Sequence, residues 1–139
     1  MPQPIRDDSV SIDLRSRFQF TTVVTGSPAL AAETIIATLT LPNFGDPAIM
    51  AGIQLEGWAA YTVGTSGSAV NLRIRQTNVG GTVVQNSGAL TRAAASLQAD
   101  SITGVDLTPG IGVYVMTMQV TAGAAVSTVS AVFFNATLI

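Results

Sequence analysis

The sequence predicts an all-β protein: an eight-stranded, jelly-roll-like β-sandwich preceded by a charged N-terminal arm. Three observations predict it. Segments rich in β-branched and aromatic residues recur along nearly the whole chain, many of them alternating apolar with polar side chains. Gly- and Pro-containing turns punctuate them at short, regular spacing. The third is composition: 47% of residues are apolar and only 10% charged, with a mean hydropathy of +0.47. The usual charged share is about a quarter, so such a chain must hide much of its surface in a core or against partners.

The chain of 139 residues is long enough for one domain with a sizeable core. Its charges are unevenly placed. Arg6, Asp7, Asp8, Asp13, Arg15 and Arg17 fall in residues 1–17, whereas 107–139 carry none. This divides the chain into an arm, 1–17, and a single β-sandwich domain, 18–139. Within the arm, Val10, Ile12 and Leu14 alternate with Ser11 and Asp13. The pattern suits a short strand that forms against a partner, and it suits a frayed terminus as well.

The body then reads strand by strand. Residues 18–25 (FQFTTVVT) are the first. In 35–41 (IIATLTL), Ile35, Ala37, Leu39 and Leu41 are expected on one face. In 53–63 (IQLEGWAAYTV), Ile53, Leu55, Ala59, Tyr61 and Val63 point one way and Gln54, Glu56 and Trp58 the other. In 70–78 (VNLRIRQTN), Val70, Leu72 and Ile74 face inward, with Asn71, Arg73, Arg75 and Thr77 outward. Strands follow at 82–86, about 101–107, 111–121 and 126–138. TGSP, PNFGDP, GTSG, TPG and AGAA separate them, and Gly80-Gly81 signals a two-residue hairpin between the fourth and fifth. Residues 90–98 (LTRAAASLQ) are alanine-rich and read as a short helix capped by Thr91.

Eight strands in two Greek keys make a jelly roll. That topology pairs the fourth strand with the fifth and places the third and fourth in different sheets. A meander would instead set Glu56 and Trp58 opposite Arg75 and Arg73. A jelly roll also makes each of the last two strands central in its own sheet. In 111–121, Tyr114, Met116, Met118 and Val120 are expected inward and Thr117, Gln119 and Thr121 outward. In the final strand Val126, Val132 and Leu138 fall on one face, with Val129, Phe133 and Ile139 on the other. Neither face is polar throughout, so part of the outer one is expected to be covered by a sister subunit.

Much chemistry is excluded outright. There is no His, Cys or Lys. A nucleophilic triad lacks its usual base, zinc and copper sites lack their usual ligands, and Schiff-base and Walker-loop chemistry lacks its lysine. Only carboxylate chemistry remains, and Glu33, Asp46, Glu56, Asp100 and Asp106 are scattered singly. No enzymatic activity is expected, and no catalytic residue, cofactor or metal. Calcium near Asp100 and Asp106 would lack the usual run of ligands. A net charge of −2 supplies no basic stripe for nucleic acid. No apolar run is long enough to span a membrane as a helix, and no signal peptide is expected from the proline- and charge-rich start. Asn135-Ala136-Thr137 matches a glycosylation sequon by chance.

Arg73 and Arg75 project from one strand face, either as a solvated edge-guarding pair or toward an acidic partner. Trp58, the sole tryptophan, suits the core or a subunit interface better than a sugar platform.

The stretch ITGVDLTPGIGVYVMTMQVTAGAAVSTVSAVFFNATLI (102–139) resembles the last strands of jelly-roll modules in tailed-phage capsid decoration (cement) proteins and related accessory virion proteins. The resemblance lies in composition and layout, covers about the last third of the chain, and carries no fixed site motif. It implies a homotrimer on the virion surface, assembled in the host cytoplasm, that binds the major capsid (coat) protein and stabilises it. Docking is expected to involve the arm (Arg6, Asp7, Asp8, Val10, Ile12, Asp13, Leu14, Arg15, Arg17) with Arg73 and Arg75. Trp58, Val129, Phe133 and Ile139 are candidates for the oligomer interface. The alternative is a receptor- or glycan-binding head of a tail fibre or adhesin. A jelly-roll major coat protein would be expected to carry a strongly basic arm, and this arm balances three acids with three arginines.

Overall fold

The computed structural model describes residues 17–19, 22–23, 31–41, 52–108, 112–123, 126 and 128–139. Ten strands make up its regular structure: β1 (Arg17–Gln19), β2 (Thr22–Val23), β3 (Glu33–Thr40), β4 (Ile53–Thr62), β5 (Ser68–Gln76), β6 (Val83–Asn86), β7 (Leu90–Arg92), β8 (Leu97–Asp106), β9 (Val113–Gly123) and β10 (Thr128–Leu138). Two antiparallel sheets hold them. One has the order β1-β10-β4-β8; the other runs β2-β3-β9-β5-β6, with β7 also pairing β5. This is the jelly-roll order. The expected first strand is represented by two short pieces, β1 in one sheet and β2 in the other. β5 and β6 form the required hairpin, and β4 and β5 lie in different sheets, which removes any Glu56–Arg75 pairing. β9 runs between β3 and β5, and β10 between β1 and β4.

The core fills from both inner faces. Ile53, Leu55, Ala59, Tyr61 and Val63 come from β4 and its end, Val70, Leu72 and Ile74 from β5, and Tyr114, Met116, Met118 and Val120 from β9; all are buried. The period-two reading of these strands therefore holds residue by residue. It fails at two bulges, each an extra residue that resets the alternation. In β3 the register slips between Ile35 and Ala37. The extra Ile36 turns into the core at 1% exposure while Ile35, opposite Thr117, lies on the outer side. In β10 it slips between Val129 and Ala131. Val129 pairs with Tyr61 on the inner face, Ser130 is the extra residue, and Val132, Phe134 and Ala136 follow inward opposite Ala59, Gly57 and Leu55.

Two further expectations are corrected. Residues 90–98 are not helical: Leu90–Arg92 pair with Val70–Ser68, and Leu97 opens β8. The alanines between them form a turn with Ala95 at φ 50°, so strand pairing at both ends overrides local helix propensity. The β5–β6 connection is also longer than two residues. It runs from Thr77 to Thr82, closed by Gln76 N–H donating to Thr82 O at 2.9 Å and Gly81 N–H to Asn78 O at 2.9 Å. Gly81 is required there, because a Cβ would fall 1.6 Å from Gln76 O.

Candidate interaction surface

Charge sits in three places among the described residues, and in each it is engaged within the chain. On the outer face of the β3-β9-β5 region, Arg75 grips Glu33 with two hydrogen bonds, Nε to Oε1 at 2.6 Å and Nη2 to Oε2 at 2.9 Å. Its Nη1 donates to Gly81 O at 2.9 Å. Arg73 Nη1 lies 3.3 Å from Glu33 Oε2 and donates to Gln119 Oε1 at 2.7 Å. Thr117, beneath them on β9, donates to Glu33 Oε1 at 2.6 Å and is fully buried. Partial burial alone would raise the Glu33 pKa. The hydrogen bonds from Arg75 and Thr117 and the charges of Arg75 and Arg73 outweigh it and hold the carboxyl below its ordinary range. Arg73 and Arg75 are thus neither a solvated pair nor extended arginines. They cover Thr117 with a forked ion pair.

The other two charged clusters clasp the sheets together at the β8 margin. Asp106 is buried and accepts four hydrogen bonds: from Tyr114 Oη at 2.8 Å, Gln76 Nε2 at 2.7 Å, Thr108 N at 2.9 Å and Thr108 Oγ1 at 3.2 Å. Toward the other end of β8, Asp100 accepts from the buried Tyr61 hydroxyl and pairs with Arg92 of β7, whose Nε lies 3.0 Å from Oδ2. Burial and the carboxylate acceptors raise both tyrosine pKa values above the ordinary 10. Burial opposes ionisation of both aspartates, yet their hydrogen bonds, with Arg92 at Asp100, lower both pKa values. Asp100 therefore already serves a cation, and Asp106 serves neutral donors. Among the described residues no three His, Cys, Asp or Glu side chains gather as a metal site, and no helix is long and apolar enough to cross a membrane.

The outer face of the β1-β10-β4-β8 sheet has a different character. Its cross-strand rows, read from β8 through β4 to β10, are Ala99–Ala60–Ala131, Ser101–Trp58–Phe133, Thr103–Glu56–Asn135 and Val105–Gln54–Thr137. Trp58 is 39% exposed and directly opposite Phe133, at 41%. Across these four rows the single ionisable side chain is Glu56, which accepts from Gln54 Nε2 at 3.3 Å. The result is an uncharged patch of alanines and two aromatics bounded by an amide-rich strip.

The expected interface residues separate on this frame. Trp58 and Phe133 meet at the centre of the patch. Val129 does not belong to it: the β10 bulge carries it into the core at 1% exposure. Ile139 lies beyond β10, with its N–H donating to Gly52 O at 3.0 Å, so it marks the sheet's end. Asn135 of the sequon is fully buried. Of the arm residues, Arg6 to Arg15 lie outside the described residues, and Arg17 begins β1, opposite Thr137. The Glu33 cluster was missed from sequence. Its signal lay in the jelly-roll order itself, which sets β3 and β5 on either side of β9 and so brings an acid on one within reach of arginines on the other.

Glu33→Ala should lower unfolding stability by about 1–3 kcal/mol, because two partly buried guanidinium groups lose their acceptor. Glu33 has a lower pKa folded than unfolded, so its contribution is present above the ordinary carboxylate pKa and is lost as pH falls through the native value. Urea melts of wild type and variant should converge on acidification; a pH-independent gap would contradict this account.

No family model and no curated protein matches the chain. Among solved structures, a chain from infectious bursal disease virus, Gx strain, aligns with TM-score 0.54 at 11% identity, over 88% of this chain and 32% of that one. A subunit of Bacillus endospore appendages, described as disulfide-linked pili, gives 0.44 at 17% identity over 90% of each chain. A carbohydrate-binding module, CBM4, gives 0.46 at 11% identity over 97% and 74%. What is shared with them is the jelly-roll or β-sandwich fold.

Proposed function

We propose that this chain is a non-enzymatic virion structural protein that decorates a capsid, binding neighbouring coat subunits at the virion surface and raising the free energy needed to separate them. The observation that carries this reading is the uncharged outer face of the four-stranded sheet, centred on Trp58 and Phe133. Partly exposed aromatics on a charge-poor surface have the composition of an interface core. The carboxylates of the described residues support a binding role too: Glu33, Asp100 and Asp106 are structural acceptors with fixed partners. The N-terminal arm contributes to docking by ordering against the coat, and the decorating unit is a homotrimer.

The test is co-sedimentation with capsids from the source virus. Wild type should co-sediment and raise the capsid's thermal disruption temperature. Trp58→Ala/Phe133→Ala should remain folded and lose most of that binding, as should a chain lacking residues 2–14. Undiminished binding by both variants would overturn the reading. The exposed Trp58 also favours a glycan- or receptor-binding head. Trp58-dependent signal on a glycan array, with no capsid binding, would select that alternative.

A further inference from the structure

The edges of the two sheets are not alike. β2 has two residues, β1 and β7 three each, and β6 four with a register slip against β5. These are short or irregular edges, the usual protection against pairing with another chain. β8 is different. It runs ten residues, Leu97–Asp106, in unbroken register with β4. No strand among the described residues pairs with its other side. It contains no Pro and no Lys or Arg, and its outward side chains, Leu97, Ala99, Ser101, Thr103 and Val105, are all uncharged and exposed. Leu97 and the following Leu107 are 70% and 69% exposed. Inward-pointing charges can guard an edge, but Asp100 and Asp106 are already committed to Arg92, Tyr61, Tyr114 and Gln76.

The pattern along β8 is self-complementary. Leu97 and Leu107 lie equally far from Ile102, as do Ala99 and Val105, and Ser101 and Thr103. An antiparallel copy placed with Ile102 opposite Ile102 would set Leu97 against Leu107, Ala99 against Val105 and Ser101 against Thr103, each twice. Asp100 would then face Gly104, and Asp106 would face Gln98, so no carboxylate opposes another. A two-fold contact of this kind is isologous and closed.

We propose that β8 is a docking edge for a second copy of this chain, the two strands pairing antiparallel about Ile102 to make one continuous eight-stranded sheet. The free backbone donors and acceptors of β8 supply the ladder, and the two exposed leucines of each copy cover one another at the ends of the seam. The inference does not depend on capsid binding. A two-fold seam gives an even number of copies: a dimer alone, or six chains where a three-fold contact is also present.

The absence of cysteine makes the seam easy to test. Ser101→Cys/Thr103→Cys places two cysteine pairs at directly opposed positions, whose Cα separation in an antiparallel pair fits a disulfide. On mild oxidation most of the protein should run as a covalent dimer on non-reducing gels. A control with cysteines at exposed Thr82 and Thr91, away from the seam, should stay largely monomeric. Leu97→Lys/Leu107→Lys should halve the solution mass measured by light scattering and leave the β-sheet circular dichroism and its melt unchanged. A monomeric or trimeric wild type would overturn the proposal. So would an even-numbered assembly whose mass ignores the lysines and whose seam cysteines cross-link no better than the control. If deleting residues 2–14 halves the mass and the lysine pair does not, the edge holds another strand, which also overturns it. Capsid co-sedimentation can succeed or fail under each of these outcomes, so the two readings are separately testable.

Discussion

Asp106→Ala should destabilise the protein by about 2–5 kcal/mol and make Tyr114 easier to ionise. The carboxylate is 6% exposed and accepts from Tyr114, Gln76 and Thr108. Its removal leaves a buried hydroxyl and an amide without their acceptor, each worth about 1–3 kcal/mol when stranded. Asp106→Asn keeps an oxygen for the tyrosine and should lose less. The chain has two tyrosines, Tyr61 and Tyr114, both fully buried and both donating to an aspartate. Their raised pKa values mean that the stability they contribute is complete below the unfolded value near 10 and declines as pH rises above it. At pH 10 the folded wild type should therefore show almost no phenolate absorbance near 295 nm, while the urea-unfolded chain should be about half ionised. Asp106→Ala should release roughly half of the suppressed signal at lower pH. Full tyrosine ionisation in folded wild type near pH 10 would refute both clasps.

Phe134→Ala should cost about 3–5 kcal/mol and Phe133→Ala less than about 1 kcal/mol. The two residues are adjacent, yet Phe134 is 1% exposed and Phe133 41%. Phe134 stands opposite Gly57 on β4. There a Cβ would approach Met116 Sδ to 2.6 Å and Ile102 Cγ2 to 3.3 Å, so the facing sheet fills the space above the glycine. Removing the ring opens a cavity midway between the sheets, walled by residues of both and poorly placed to collapse. Urea unfolding of the two variants is the direct comparison. Equal losses would mean that the β10 register is wrong.

That pair shows where sequence reading stops. The sandwich and its strand order were legible because β4, β5 and β9 keep strict alternation and turn residues mark their ends. Strands β3 and β10 were legible as strands but not in their facing. One extra residue, Ile36 or Ser130, inverts everything downstream, and nothing in the neighbouring composition announces it. Hence Val129 was expected on the outer face and lies in the core. The segment 90–98 misled for another reason: its alanines favour helix locally, while its conformation is set by β5 and β4, distant in sequence. Trp58 and Phe133 were found as exposed candidates because β4 alternates cleanly and Phe133 falls after the bulge. The Asp100 and Asp106 clasps were not, since each draws its partners from a different sheet.

The position of β9 and β10 bears on how the chain is made. Each is the middle strand of its sheet: β3 meets β5 through β9, and β1 meets β4 through β10. A nascent polypeptide ending anywhere before residue 113 has edge pieces of both layers and the centre of neither. Its hairpins, such as β5 with β6, can form early, but the two layers cannot close until both late strands have emerged from the ribosome. Folding should thus be nearly all-or-none with respect to length and slow for its size, as sheets built from distant pairings are. Apolar strands would stand waiting through much of synthesis, which makes this chain a candidate client for holding chaperones during translation.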